Sequence, residues 1–247
     1  MPPPDDPVDT GRRPIRRPDH HRAGAPAPWA GLPAAGRRGL TLAVVGRALA
    51  TRADAVGSRP GPAHPGRPAA VLVPLFEEDG EVRVVLTVRS DRLRSHQGEV
   101  ALPGGRLDGE EGVVDGALRE AGEEVGLDPS SATVLACLTP LPTLSSDTVM
   151  TPVVAALPAR PSLRANQGEV ERIFDVALAD LVADGVFHEE LWSVPGRPGA
   201  PGHPDGEFPV WFFAVAGETV WGATARVLVE LLCQVLAVPP PPTLPSR

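Results

Sequence analysis

Short hydrophobic runs alternate with turn-forming residues between Ala69 and Val238. Ala69–Phe76 and Val82–Val88 are rich in valine and leucine, which is typical of strands, and Asp79-Gly80 between them is a strong hairpin-turn signal. The same criteria predict four further strands, at Ala132–Leu141, Thr151–Leu157, Phe174–Leu178 and Pro209–Ala216. The chain therefore has enough predicted strands to build a sheet of several members.

Helical patterns separate these strands. A short helix is predicted within Gly39–Ala55, a second at Gly112–Gly126, and a closing helix at Val220–Val238 that ends at the proline run 239–242. At 100° per residue the second helix gathers one apolar stripe, formed by Val114, Leu118, Ala121 and Val125. Strands and helices mix without regular βαβ alternation, which favours an α+β fold, an α/β/α sandwich around a mixed β-sheet.

Composition changes at both ends of this pattern. Residues 1–35 are rich in proline, arginine and aspartate, so we predict a disordered tail there. Residues 36–238 are predicted to form one domain, with a linker at Gly57–Arg67, and residues 239–247 a proline-rich tail. A chain of 247 residues can bury one sizeable core.

The formal net charge of −8 argues against a nucleic-acid partner, because such proteins normally carry a basic patch. All 23 basic residues other than histidine are arginine. A negatively charged small molecule stays compatible with this charge, since bound metal ions offset local negative charge. The sequence leaves the oligomeric state open, and a homodimer is one alternative.

The longest apolar stretch, Val227–Val238, is interrupted by Glu230 and Gln234 and is too short to span a membrane. Cys137 and Cys233 lie in apolar surroundings without the spacing of metal ligands, so both are predicted to be buried thiols. These features favour the cytoplasm, a reducing compartment, without a membrane partner.

Three glutamates of the second helix stand close together. Glu120 and Glu124 are four residues apart and stack on one face, with Glu123 beside them. Such carboxylates repel one another, and a hard cation such as Mg²⁺ or Mn²⁺ would offset the repulsion. Taken alone, the cluster is more typical of a solvated helix face, because acidic runs on surface helices are common. A metal held beside the glycine-rich Gly104–Gly105 loop would suit phosphate chemistry.

The spacing around this helix has the form Gly-x5-Glu-x7-Arg-Glu-U-x-Glu-Glu-x-Gly-U, where U is apolar. The fixed positions are filled by Gly105, Glu111, Arg119, Glu120, Ala121, Glu123, Glu124, Gly126 and Leu127. This pattern resembles the signature of the Nudix hydrolases. The resemblance implies an α/β/α sandwich in which the signature forms a loop–helix–loop, and hydrolysis of compounds that link a nucleoside diphosphate to another group.

The resemblance also implies roles for single residues. Glu120 and Glu124 would be the principal ligands of Mg²⁺ or Mn²⁺, and Glu123 a further ligand or the residue that orients or deprotonates water. Arg119 would pair with a carboxylate of the signature and hold the helix in place. The flexible backbone of Gly104–Gly105 would turn tightly beside the metal and the substrate.

The residues before the signature, Val85–Gly105, resemble the additional motif of the coenzyme A pyrophosphatase branch, Leu-Leu-Thr-x-Arg-Ser-x3-Arg-x3-Gly-x3-Phe-Pro-Gly-Gly. The matching positions are Thr87, Arg89, Ser90, Arg94, Gly98, Pro103, Gly104 and Gly105. Val85 and Leu102 depart from it, as apolar replacements for leucine and phenylalanine. Three later stretches resemble the same branch: Thr151–Val154, Gly168–Phe174 and Val220–Arg226.

This branch implies hydrolysis of coenzyme A (CoA) or a CoA derivative to 3′,5′-ADP and a 4′-phosphopantetheine product. Arg89 and Arg94 are candidate phosphate ligands, since a guanidinium binds phosphate through two hydrogen bonds, although each could form an ordinary surface ion pair instead. Glu169 could complete the metal shell, act as a base or cap a strand. Trp221 is expected to pack the last helix on the core, and His96 to be structural or exposed.

Two alternatives remain at this point. ADP-ribose, NADH or another nucleoside diphosphate derivative could replace CoA as the substrate, because fold and signature alone do not distinguish them. A non-catalytic Nudix module that only binds a ligand is the second alternative, although such modules usually lack signature glutamates that this chain retains.

Overall fold

The computed structural model of the chain describes residues 14–50, 66–93, 95–143, 148–193 and 206–241. The strands within these ranges are β1 His21–Ala23, β2 Arg67–Glu78, β3 Glu81–Arg89, β4 Val100–Ala101, β5 Gly104–Arg106, β6 Thr133–Cys137, β7 Leu141–Pro142, β8 Thr148–Ala156, β9 Val170–Ala177, β10 Phe187–Ser193, β11 Glu207–Val215 and β12 Glu218–Trp221. The α-helices are α1 Leu42–Leu49, α2 Val113–Val125, α3 Leu178–Leu181 and α4 Gly222–Val235.

These strands form two sheets. The larger has the order β4-β3-β2-β8-β6, while β5, β7 and β9 pair with β2, β8 and β3 respectively. Its central pair, β2 with β8, is parallel and its other pairs are antiparallel, so the sheet is mixed as predicted. The smaller sheet has the order β1-β10-β11-β12 and is antiparallel throughout.

Strand β2 shows how the sequence divides the core between two layers. Successive side chains of a strand point to opposite faces of the sheet. Val71, Val73 and Leu75 therefore pack on the side of α1 and α4, whereas Ala70 and Leu72 pack on the side of α2. Both faces of the sheet are covered by helices, and this confirms the predicted α+β class and α/β/α arrangement.

The predicted helix Gly112–Gly126 is confirmed as α2, with the two glycines as its caps. Gly126 has a φ of 67°, in the left-handed region that glycine adopts at low cost, and its N–H donates to the carbonyls of Ala121 and Gly122. Ala121 and Val125 of the predicted stripe are buried against the large sheet. The helix thereby gains a fixed start, a fixed end and a fixed rotation about its axis.

The N-terminal region differs from the prediction of a disordered tail over residues 1–35. Residues 1–13 lie outside the described part, but β1 pairs with β10 and Trp29 is only 1% exposed. The Trp29 ring packs edge-on against Phe187 and stacks with Phe213. Composition averaged over the segment missed this large apolar side chain, whose burial contributes favourable free energy to the docking of the segment.

Other elements of the structure also differ from the predicted ones, for reasons that lie in the local sequence. Strand β10 was missed because it contains His188, Glu189 and Glu190, which do not read as a strand pattern. The predicted helix Val220–Val238 begins only at Gly222, because the preceding residues pair with β11. The predicted linker falls mainly on undescribed residues, as do the last residues of the predicted C-terminal tail. None of the helices in the described ranges is both long and apolar enough to cross a membrane.

Candidate active site

Helix α2 directs two glutamates toward Gly104 and Gly105, the paired glycines that begin the short strand β5 and are called the glycine loop below. Glu124 is 5% exposed, and its carboxylate accepts a hydrogen bond of 3.1 Å from the Gly104 N–H. Glu120 lies one turn earlier, and its carboxylate is so close to the backbone that a Cβ atom added to Gly105 would approach it to 2.5 Å. The predicted pair of carboxylates therefore sits against the glycine loop and not in open solvent.

The two glycines serve different purposes. Gly104 has a φ of 156°, and a Cβ atom there would lie 2.4 Å from the Ala70 carbonyl oxygen on β2. Gly105 instead leaves space for the side chain of Glu120. A side chain at Gly104 would push β5 away from β2, and a side chain at Gly105 would push the Glu120 carboxylate away from β5.

The carboxylates are poorly compensated. Burial raises the pKa of Glu124 to about 7, with further upward contributions from Glu169 and Glu120 and opposing ones from the Gly104 N–H and from Arg89. Burial also raises the pKa of Glu120, against the opposing influence of Arg119, and the charges of Glu123 and Glu169 add to the rise. Four carboxylates, those of Glu120, Glu123, Glu124 and Glu169, thus lie within electrostatic reach of one another, and a bound cation would offset their negative charge.

Arg119 forms hydrogen bonds with three glutamates of the signature and with the backbone that precedes α2. Its Nε and Nη2 atoms donate to the two oxygens of Glu111 at 2.9 and 3.0 Å, and its Nη1 donates to Glu120 at 3.0 Å and Glu123 at 3.3 Å. Nη2 also donates to the Arg106 carbonyl at 3.1 Å. The paired hydrogen bonds with Arg119 lower the pKa of Glu111. This fixed guanidinium connects the loop before α2 to the face that carries the glutamates.

Glu123 is placed differently from its neighbours. Its side chain is 58% exposed, compared with 16% for Glu120, and its described polar contact is with Arg119. It therefore borders the carboxylate pair from the solvent side. Glu169, just before β9, is also exposed and acts electrostatically on both Glu120 and Glu124.

The donor set fits a hard divalent cation. No three His, Cys, Asp or Glu side chains in the described ranges converge closely enough to form a complete metal site by themselves. Mg²⁺, however, commonly takes one or two carboxylates and completes its shell with water and substrate phosphate. Glu120 and Glu124, with raised pKa values and all-oxygen donors, meet that requirement.

A cleft of about 600 Å³ opens beside the glycine loop and runs between the two sheets. Arg89 lines it, and the Nε atom of Arg89 is buried with no hydrogen-bond partner among the described residues. The rest of the lining is mostly apolar and includes Val71, Met150, Trp192, Phe208, Trp211 and Trp221. A cleft of this size and character suits a small organic molecule with at least one anionic group.

The remaining predicted residues have mixed outcomes. Arg94 lies outside the described residues. His96 lines the cleft, and its ring nitrogen lies 2.9 Å from the Glu99 carboxylate, which raises the pKa of His96. Trp221 stacks with Phe212 at 6.3 Å between ring centres, so it packs within the small sheet and borders the cleft as well.

Sequence reasoning did not assign the aromatic wall of the cleft or Arg226, which also lines it. Strand β11 was predicted, yet nothing in its apolar pattern shows which side chains border a cavity. Arg226 lies within Val220–Arg226, a stretch already noted for its resemblance, and this was the available signal.

Comparison with known proteins agrees with this geometry. The NUDIX domain family matches residues 66–195, which include the whole signature. The chain belongs to the Nudix hydrolase family. It is 35% identical over 174 residues to the uncharacterized Nudix hydrolase NudL of Klebsiella pneumoniae (strain 342), covering 70% of this chain and 85% of that protein. The NudL of Photorhabdus laumondii is 36% identical over 170 residues, with coverages of 68% and 85%.

Solved structures of Nudix proteins are also similar to parts of this Nudix hydrolase. A MutT/nudix family protein from Enterococcus faecalis is 16% identical with a TM-score of 0.45, covering 74% of this chain and 71% of that one. The Nudix hydrolase RenU of M. smegmatis is 24% identical with a TM-score of 0.40, covering 45% and 70%.

Proposed function

We propose that this Nudix hydrolase cleaves the pyrophosphate linkage of CoA or a CoA derivative, releasing 3′,5′-ADP and a 4′-phosphopantetheine product. The observation that carries the proposal is the position of the α2 carboxylates at the glycine loop, beside a cleft that Arg89 and a long apolar wall line together. The residues that resemble the CoA pyrophosphatase branch, including Arg89, lie on the strands and loop next to these carboxylates.

The carboxylates perform the first task, which is to hold a divalent cation, Mg²⁺ or Mn²⁺. We assign Glu120 and Glu124 as principal ligands and Glu123 as a further ligand or the residue that orients water. When bound, the cation neutralises pyrophosphate oxygens and acidifies a coordinated water. Arg119 acts as a positioning residue, because it holds Glu120 and Glu123 at once.

Arg89 performs the second task. Its buried Nε has an unfilled donor, and leaving such a charged donor without an acceptor is costly. A phosphate oxygen of the substrate would fill it, and the nearby Glu124 provides the electrostatic complement in the free protein. We assign Arg94 the same kind of role from the sequence alone.

The apolar length of the cleft supports a CoA-type substrate over a compact nucleotide. The pantetheine arm is flexible and largely uncharged, so it gains from contact with side chains such as Met150, Trp192 and Trp221. ADP-ribose instead carries a second hydroxyl-rich sugar, which would leave its polar groups facing apolar walls at a cost.

The test is a substrate panel. Purified protein is incubated with Mg²⁺ or Mn²⁺ and with CoA, acetyl-CoA, ADP-ribose, NADH or diadenosine tetraphosphate, and products are identified by mass spectrometry. We expect 3′,5′-ADP from CoA at the highest kcat/KM of the panel. A higher kcat/KM for ADP-ribose or NADH would contradict the substrate proposal, and absence of any metal-dependent turnover would contradict the enzymatic one.

Matched variants test the residue assignments. Glu120→Gln and Glu124→Gln should abolish turnover, whereas Asp115→Asn, on the exposed side of the same helix, should retain it. Unchanged turnover in both glutamine variants would refute the metal assignment. Cys137 and Cys233 are both buried and are not joined in a disulfide, which supports a cytoplasmic location. A homodimer remains a prediction that light scattering would test.

A further inference from the structure

The cleft contains a second guanidinium whose role the hydrolysis itself does not explain. Arg226 lies near the start of α4 and lines the cleft together with Gly222, Ala223 and Thr224. It is partly buried, and burial lowers the pKa of its guanidinium. Withdrawing an arginine from water is unfavourable unless hydrogen bonds or a counter-ion replace the lost hydration.

The described residues do not supply that replacement. Within these ranges the charge that acts on Arg226 is that of Glu230, and no hydrogen bond or ion pair with the Arg226 guanidinium is formed. The Glu230 carboxylate is engaged elsewhere, accepting from the Thr139 N–H at 3.0 Å and from the Thr139 hydroxyl at 2.7 Å. The donors of Arg226 are therefore available to a molecule in the cleft.

Arg226 occupies a different part of the cleft from the acidic cluster. Arg226 is carried by α4, which packs on the opposite face of the large sheet from α2, whereas Arg89 is close enough to Glu124 for its charge to act on that carboxylate. The two arginines nevertheless border one continuous space. The Thr224 hydroxyl donates to the Val100 carbonyl at 3.2 Å, which ties the start of α4 to β4, and Val100 pairs with the residue before Arg89.

We propose that Arg226 binds a second anionic group of the substrate, a phosphate monoester separate from the pyrophosphate that is cleaved. Arg89 and Arg226 would each bind one anionic group of the same substrate. Arg226 therefore determines specificity, because it favours substrates that carry the second phosphate. The identity of that phosphate rests on the proposed function: in CoA it is the 3′-phosphate of the ribose. ADP-ribose, NADH and dephospho-CoA lack a phosphate at this position and would leave Arg226 without its anion.

An arginine with only a structural role would be expected to look different. Arg172 and Arg160 each combine ion pairs with stacking over a phenylalanine ring, on Phe174 and Phe76 respectively. Arg226 shows neither contact among the described residues, although it lies in a more apolar setting. Phosphate recognition accounts for both its burial and its open donors, because guanidinium and phosphate match in geometry.

The test compares CoA with dephospho-CoA in the wild-type protein, Arg226→Gln, Arg226→Lys and Arg47→Gln. Arg47 is an exposed arginine on α1 and serves as the matched control. We expect the wild type to prefer CoA by about 10- to 100-fold in kcat/KM, the range expected for a charge-assisted hydrogen bond. Arg226→Gln should lose this preference through KM for CoA and leave dephospho-CoA unchanged, and Arg226→Lys should keep part of it.

Calorimetry with 3′,5′-ADP and with 5′-AMP gives a readout that does not depend on turnover. The wild type and Arg47→Gln should bind 3′,5′-ADP more tightly, and Arg226→Gln should bind both nucleotides alike while keeping the wild-type Tm. An equal CoA preference in Arg226→Gln and wild type, or equal binding of the two nucleotides by the wild type, overturns the inference. Tighter binding of 3′,5′-ADP through Arg226 without CoA turnover would overturn the proposed function and uphold the phosphate site.

Discussion

Two buried glutamates of this protein have opposite environments. Glu124 on α2 accepts one described hydrogen bond, from the Gly104 N–H, and burial raises its pKa to about 7. For Glu190 on β10, burial would also raise the pKa, but hydrogen bonds from His188, Trp192 and Arg17 outweigh it and lower the pKa to about 2.

The difference separates a structural carboxylate from one available for function. The donors around Glu190 come from three directions, with Arg17 at 2.8 Å and the Trp192 indole at 2.6 Å, so the native fold stabilises its charge. Around Glu124 the neighbouring carboxylates increase the cost of its charge. A carboxylate that the protein buries and leaves undercompensated is suited to a cation from outside.

The largest expected effect concerns Glu124. Glu124→Gln should lower kcat/KM by at least about 100-fold, because an amide is a much weaker metal ligand than a carboxylate. Its free energy of unfolding, measured by urea denaturation with EDTA present, should be unchanged or higher, since a poorly compensated charge is removed. A loss of stability that matches the loss of activity would contradict the contrast with Glu190.

Glu190→Gln should instead lower the free energy of unfolding. Because the folded pKa lies below the usual 4.5, the stabilisation is complete above about pH 4.5 and is lost as the pH falls toward 2. At neutral pH the variant should lose about 3 kcal/mol of unfolding free energy, and the acid-dependent decline should flatten. An unfolding curve with the wild-type pH dependence between pH 5 and 2 would refute this.

A smaller effect is expected at Arg119, which contacts one carboxylate of each kind. It pairs with Glu111, whose pKa is lowered, and also donates to Glu120, whose pKa is raised. Arg119→Lys keeps the charge and loses the paired hydrogen bonds, so kcat should fall by about 10-fold with KM for substrate nearly unchanged. Steady-state kinetics with varied Mg²⁺ would check this. A wild-type kcat in Arg119→Lys would show that Arg119 does not position the proposed metal ligands Glu120 and Glu123.

The smallest effect is expected at Arg17, one of several donors to Glu190. Arg17→Gln should cost about 1 kcal/mol of unfolding free energy, because the Trp192 and His188 contacts remain. Arg22→Gln is a suitable comparison, since Arg22 pairs with Glu207 at a more exposed position and should cost less. A larger loss at Arg22 than at Arg17 would contradict this account.

The elements that the sequence predicted well are those with a local physical cause. Helix α2 has a glycine at each end and one apolar stripe, and the β2–β3 hairpin has its turn at Asp79-Gly80. The signature spacing placed Glu120 and Glu124 on one helical face for the same reason. The contact between these carboxylates and the paired glycines also requires the pairing of β5 with β2, which lies more than 30 residues away in the sequence.

The parts that the sequence did not predict depend on contacts between distant segments. Trp29 is buried in part because β10 and β11 place Phe187 and Phe213 beside it. The polar pattern of β10 arises because Glu189 and Glu190 receive donors from elsewhere, including the Trp211 indole at 2.7 Å. The cleft likewise forms where two sheets meet, and no single stretch of sequence encodes it.

The N-terminal strap, residues 14–30, has a consequence for how this enzyme can diversify. Ile15 packs on the aromatic cluster of Phe208, Phe212, Trp192 and Trp221, and three members of this cluster, Phe208, Trp192 and Trp221, also border the cleft. The strap, β11, β12 and α4 all lie outside residues 66–195, the range shared with the NUDIX domain family. Substitutions in these flanking segments can reshape the cleft while α2 and its glutamates stay constant, so the shape of the cleft and the acidic helix can evolve independently.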